Sequence, residues 1–218
     1  MRPRIPNERS KFECSVEVLL PAPPPTRPAL RARYERRRVA LVDAAAAVIA
    51  QRGFHATSMQ DLADATGLAA GGLYHYIGSK DELLVAICDE LMAPLLDRAG
   101  ALVAERRAPE EELRGLVRMW VEHVEAHRDH VLVFQQERHV LEHGPQWRAV
   151  RAARKRFEEL LDGVLARGEQ AGAFVFADRR LALMALLGMV NHTALWFRPR
   201  GRLSAREVAD GYVDLLLR

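Results

Sequence analysis

The chain is 218 residues long, 49% hydrophobic, 6% aromatic and 28% charged. That suits one large domain or two modest ones with a sizeable core, and it excludes collagen-like, wholly disordered and disulfide-scaffold classes. The formal charge of +3 hides an asymmetry: residues 1–38 hold ten Arg or Lys against four Glu, and the other 180 residues hold 22 basic and 25 acidic groups. A basic arm on a mildly acidic body points to a polyanion at one end.

In chain order, residues 1–33 show no periodicity, and the run Pro21-Ala22-Pro23-Pro24-Pro25 argues for a flexible, partly polyproline extension. Cys14 and Cys88 do not make a framework and read as reduced thiols. The apolar run Val18-Leu19-Leu20 is too short for a signal peptide. Leu181 to Val190 falls short of the ~20 residues a spanning helix needs. A cytoplasmic protein with no membrane contact is the expectation.

From Glu35 the pattern is helical. Val39, Val42, Ala46 and Ile49 share a face that ends at Gly53. Two short helices follow, Ser58 to Ala65 and Ala69 to Tyr76. Ser79 then opens a helix with Glu82 as its capping-box partner, and Leu83, Leu84, Ile87 and Leu91 form the stripe. Pro94 predicts a kink or interruption there, a natural seam. About five more helices follow: one from Pro109 through Val124, one from Val131 to His143, and one carrying Trp147 to Leu165. The last two are capped by Asp178 and by Ser204 with Glu207. The predicted fold is all-α, divided as extension 1–33, head 34–80 and body 81–218.

Met59 to Leu73 satisfies a helix-turn-helix template. Ala63 is small where two helices approach, Gly67 suits the positive φ of the turn, and Leu62, Leu68 and Leu73 supply the inner face. An ordinary helical hairpin satisfies the same spacing. A longer match decides between them. Thr57-Ser58-Met59-Gln60-Asp61-Leu62-Ala63, Gly67-Leu68, Gly71 to Ile77 and Ser79-Lys80-Asp81-Glu82-Leu83 together resemble the TetR family of bacterial repressors, as does the preceding Arg52-Gly53-Phe54. The resemblance implies a homodimer whose heads hold a palindromic double-stranded DNA operator, and an inducer pocket in each body.

Carried over by position, the resemblance makes Tyr74, His75 and Lys80 phosphate or groove contacts, and Thr57 and Ser58 hydroxyl and backbone donors to a phosphate. Ala69, Ala70 and Gly72 would face the groove. The two alanines depart from the family's polar residues and can only touch a thymine methyl or allow close approach, which implies sparse base readout. Arg36 and Arg37, with Arg31, Arg33 and Arg38, either reach along phosphates or into a minor groove, as arms of other DNA readers do, or form a solvated charge run at a helix start.

The body shows no nucleophile elbow, phosphate loop, HExxH or CxxC pair, so neither an enzyme nor a cofactor is expected. His123, His127 and His130 follow i, i+4, i+7 spacing, and His139 and His143 follow i, i+4, which allows a shared metal. The charged neighbours favour exposed or groove-lining histidines without one. Trp120, Phe134, Trp147, Phe157, Met184, Met189, Trp196 and Phe197 fall at core-facing spacings, and a subset could line a cavity. Arg148, Arg151 and Lys155 lie on one face, either solvated or a cradle for a phosphorylated ligand.

The run His192 to Pro199 with Gly201-Arg202-Leu203-Ser204 is similar to TetR-type repressors of fatty-acid and steroid catabolism, which respond to acyl-CoA thioesters; Gln135 to His139 is less specifically so. That resemblance implies an apolar tunnel with basic residues for the nucleotide, drawing on Trp120, Phe134, His139, Trp147, Arg148, Arg151, Met184, Asn191 and Trp196. It also implies a four-helix dimer interface from the last two helices. A drug-like or phenolic inducer, a DNA-binding protein with no inducer, and an enzyme or non-DNA interaction module with a degenerate head are the alternatives.

Overall fold

The structure, a computed structural model, describes residues 24–217, the side chain of Ala70 excepted. Among those residues the regular elements are all helical. They are α1 (Pro28–Arg52), α2 (Met59–Thr66), α3 (Ala70–Tyr76), α4 (Lys80–Ala104), α5 (Pro109–Ala126), α6 (Arg128–Gln136), α7 (Arg138–Leu141), α8 (Arg148–Gln170), α9 (Arg179–Trp196) and α10 (Ala205–Leu217), with one 3-10 turn at Pro145–Trp147. No described helix is long and apolar enough to cross a membrane.

Three expectations need correction. First, α1 begins at Pro28, because proline in the first turn surrenders only an N–H that a helix start leaves unpaired anyway. Residues 28–33 are therefore helix, and Arg31 and Arg33, expected on the flexible extension, stand on the same helix as Arg36, Arg37 and Arg38. Residues 1–23, with Cys14 and part of the proline run, lie outside the described residues. Second, of the kink or interruption expected at Pro94 the interruption does not occur, since α4 continues through it. Third, the helix expected over 131–143 breaks at Glu137, which turns inward and accepts the Phe54 N–H on Oε1 at 3.0 Å. Val39, placed on the apolar stripe of α1, is exposed; Leu41, Val42, Ala45, Ala46 and Ile49 are buried instead.

Two apolar clusters result. The head cluster packs α1 against Leu62, Leu73 and the first half of α4 (Leu83, Leu84, Ile87), and it takes in Val133, Leu141, Trp147 and Val150 from the body. The body cluster gathers the second half of α4 (Leu91, Met92, Leu95) with α5, α6, α8, α9 and α10. Burial pushes the thiol of Cys88, in the head cluster, up to about 12.

Ion pairs fasten the body. The buried Glu112 carboxylate meets Arg167 at 2.5 Å, and Arg118 grips Asp210 with two bonds, at 2.7 and 2.9 Å. The hydrogen bonds from Arg118 hold the Asp210 carboxyl below its usual range. Gly168 lets Phe174 lie directly on α8: a Cβ there would stand 1.9 Å from Cδ2 of the ring.

Candidate nucleic-acid interface and ligand cavity

The turn between α2 and α3 follows from Gly67. At φ 66° and ψ 22° it is left-handed, and its N–H closes α2 onto the Ala63 and Asp64 carbonyls. Ala63 is buried where the helices meet. Ser58 caps α2 in a reciprocal box, accepting the Asp61 N–H at 3.1 Å while Asp61 Oδ2 accepts the Ser58 N–H at 2.8 Å and hydroxyl at 2.5 Å. These bonds from Ser58 lower the Asp61 carboxyl, and Arg52 adds an ion pair at 2.8 Å. At α4 the box is displaced: Ser79 accepts the Glu82 N–H, but the Glu82 carboxylate takes the Gly78 N–H.

The structure distributes the expected DNA residues unevenly. Ala69 and His75 are exposed on α3 and its cap, with Gly72 and Tyr74 half-buried beside them. Ala70 belongs to the first turn of α3. Arg36 and Arg37 are exposed on α1, whose first half lies along α3: Tyr34 stacks on Tyr76 at 4.9 Å and meets His75 edge-on. Ser58 is exposed, although its hydroxyl is engaged in the cap. Thr57 does not fit its expected part; it is 1% exposed and its hydroxyl donates to the Gly53 carbonyl at 2.8 Å. Lys80 is half-buried, its ammonium 4.4 Å above the Phe54 ring.

The body holds a partly open cavity of about 420 Å³ between α4, α5, α6, α7, α8 and α9. Its walls are largely apolar, including Leu91, Met92, Trp120, Phe134, Phe157 and Met184. Polar groups converge at His123, Gln135, Asn191, Arg138 and Arg154. The Gln135 side-chain amide donates to the Asn191 carbonyl, tying α6 to α9 across the wall. Trp120, Phe134, Met184 and Asn191 thus come together as expected from sequence.

The other expected ligand residues lie elsewhere. Trp147 is buried in the head cluster, and Arg148 is exposed away from the cavity. Arg151 donates to the Leu141 and Gly144 carbonyls, holding the turn before α8. His139 is exposed beside His55, and Trp196 is an exposed residue of α9. The arginines that do reach the cavity are Arg138 and Arg154. From sequence, Arg138 stands out only as part of the Gln135 to His139 run, and the basic face of α8 is assigned to Arg148, Arg151 and Lys155.

Of the histidines expected to be exposed or groove-lining, His123 and His130 are buried, and His123 lines the cavity. His123 Nε2 pairs with the Leu91 carbonyl at 2.8 Å, and burial lowers its pKa to about 4. The neutral ring therefore donates to that carbonyl. Burial likewise lowers His130. Among the described residues, two groups of side chains have the donor types and proximity to hold a metal: His55, Glu137 and His139, and Asp43, Glu90 and His130.

A compact head with a left-handed glycine turn, joined to a helical body with its own cavity, defines a helix-turn-helix regulator with a ligand-binding domain. Comparisons with known proteins agree. Residues 41–87 match the model of bacterial regulatory proteins of the tetR family, and residues 106–218 match the tetracyclin repressor-like C-terminal domain. The chain belongs to the TetR family.

It is 32% identical over 186 residues to the HTH-type transcriptional repressor KstR2 of Mycobacterium tuberculosis, covering 83% of this chain and 91% of that protein. Among solved structures, the TetR family regulator PfmR of Thermus thermophilus is 35% identical with a TM-score of 0.73, over 82% of this chain and 97% of that one. AibR, solved in complex with isovaleryl coenzyme A and operator DNA, is 31% identical with a TM-score of 0.74, over 83% and 98%.

Proposed function

We propose that this protein is a homodimeric transcriptional repressor that leaves its operator when an acyl-CoA thioester fills the body cavity. The carrying observation is the cavity itself: an apolar chamber of about 420 Å³ with Arg138 and Arg154 among its lining residues. The chamber suits an acyl chain, and the guanidinium groups suit the nucleotide phosphates. The likeness to AibR, a protein solved with an acyl-CoA and operator DNA, supports the same pairing.

On the DNA side, α3 enters the major groove with Ala69, Ala70, Gly72, Tyr74 and His75. Ser58, Lys80, Arg36 and Arg37 lie along the phosphates. With little capacity for hydrogen bonds to bases, the reader relies on DNA shape and backbone contacts. The dimer forms through α9 and α10, which leave Leu181, Leu195, Trp196 and Leu215 exposed on a single chain. Repression takes place in the cytoplasm, at the chromosome.

The test is fluorescence anisotropy on the DNA upstream of the protein's own gene, titrated with acyl-CoA thioesters and then with free acids. Release by thioester alone is the expected result. Tight, site-selective binding that no thioester reverses would discard the ligand class and turn attention to apolar drug-like or phenolic inducers. Binding without site preference would discard the operator.

A further inference from the structure

The turn after α1 and the break between α6 and α7 bring together three metal-ligating side chains that the reading above does not use. His55, Glu137 and His139 each offer one ligand atom, all within 4.8 Å of one another. His55 and His139 are exposed, their rings 6.3 Å apart between centroids. Glu137 is 5% exposed. One of its oxygens is held by the Phe54 N–H at 3.0 Å, while Oε2 is buried and has no hydrogen-bond partner among the described residues. A buried carboxylate oxygen left bare carries a desolvation penalty that a cation would relieve.

We propose that His55, Glu137 and His139 form a binding site for a divalent first-row transition ion, with zinc the best match. Two imidazole nitrogens and one carboxylate oxygen are the donor set of open zinc sites, in which water takes the fourth position. Two neutral rings and one carboxylate carry a net charge of −1, so the ion meets no repulsion from its ligands. The Phe54 N–H fixes the carboxylate plane, as outer-shell donors do. Ligands on a tetrahedral zinc stand roughly 3.3 Å apart, given bonds of 2.0–2.2 Å. Closing the site therefore asks the ring atoms to move by at most about 1.5 Å, within reach of exposed histidine rotamers.

The other group, Asp43, Glu90 and His130, already has a cation: the Arg38 guanidinium lies 3.5 Å from Glu90. No described ion pair places a cation on Glu137. Spacing along one helix did not reveal the site, since His139 pairs with a residue 84 positions away, while His143 Nδ1 is engaged by the His139 carbonyl at 3.1 Å. The bound ion would pin the first turn of the head to the α6–α7 corner of the body. This proposal stands whether or not an acyl-CoA is the inducer.

The experiment is equilibrium dialysis of the chelator-stripped full chain against Zn²⁺, with Co²⁺ loading as a visible-absorption probe. One equivalent per chain is expected. His55→Ala and His139→Ala, both at exposed positions, should weaken binding by at least about tenfold, the lower end of what even outer-shell changes cost. They should also alter the Co²⁺ absorption bands. His143→Ala and Asp43→Asn should bind as the parent does, and circular dichroism checks that each variant is folded. The absence of stoichiometric zinc, or zinc retained undiminished in both His55→Ala and His139→Ala, would overturn the proposal.

Discussion

Arg154 offers a way to separate the two halves of the proposed inducer. Its guanidinium makes only loose ion pairs, 3.5 Å from Glu158 and 4.0 Å from Glu142, and the side chain is 32% exposed. Such surface pairs are worth about 0–1 kcal/mol, and Met at this position keeps the apolar stem. Arg154→Met should therefore lower Tm by no more than about 2–4 °C. Against an acyl-CoA, the loss is a charge-assisted bond to phosphate, worth about 1.5–3 kcal/mol. That corresponds to an affinity about 12- to 150-fold weaker. The matching acyl-pantetheine has no nucleotide phosphates and should bind the variant and the parent alike. Isothermal titration with the two ligands measures both numbers. Equal losses for the two, or no loss for the acyl-CoA, would show that Arg154 does not read the nucleotide.

Other consequences concern the scaffold. Arg167→Met strands the buried Glu112 carboxylate and should cost about 3–5 kcal/mol in urea unfolding, while adding Glu112→Leu should recover most of it; a single-variant cost under about 1 kcal/mol would mean the pair is solvent-screened. Gly168→Ala gains about 1 kcal/mol of helix propensity but drives its Cβ into Phe174, an overpacking cost of about 1–3 kcal/mol, so Tm should fall. In a Phe174→Leu background the same change should become neutral or stabilising. Burial pushes the Glu90 carboxyl up to about 7, so its proton is held more tightly in the folded state than in the unfolded chain. Its contribution to stability grows as pH falls from about 7 toward the unfolded carboxyl range and is lost as pH rises through 7. Glu90→Gln should flatten that window in pH-dependent denaturation, and an unchanged slope would refute the assignment.

What could be read in advance follows from how local each cause is. Gly67, Ala63 and the caps at Ser58, Asp178 and Ser204 act within one or two turns, so their residue types announce them. The α6 break escaped notice because it depends on the Phe54 N–H reaching Glu137 from 83 positions away. Trp147 looked like any core aromatic, and nothing in its neighbours says which of the two cores it joins. Arg148 and Arg151 share a basic helix face with Arg154, yet only Arg154 reaches the cavity. Periodicity defines a face; it does not say what the face looks upon. Thr57 was misplaced for a similar reason, its hydroxyl being satisfied by the Gly53 carbonyl.

The helix α4 belongs to both cores at once. Leu83, Leu84 and Ile87 share the head cluster with Leu62 of α2 and Leu73 of α3, and Leu91, Met92 and Leu95, a turn or two further along, are walls of the cavity. At 1.5 Å per residue, Leu84 and Leu91 are separated by roughly 10 Å of one rod. Pro94 has no N–H to offer the carbonyl four residues earlier, so the rod lacks one rung just past the seam. Bending there is cheaper than anywhere else along α4, and the walls that a ligand would press on flank that point. The wall that a ligand would press on and the helix packed in the core of the DNA-reading head are thus one rod, and its weakest rung lies between the chamber's own lining residues Met92 and Leu95.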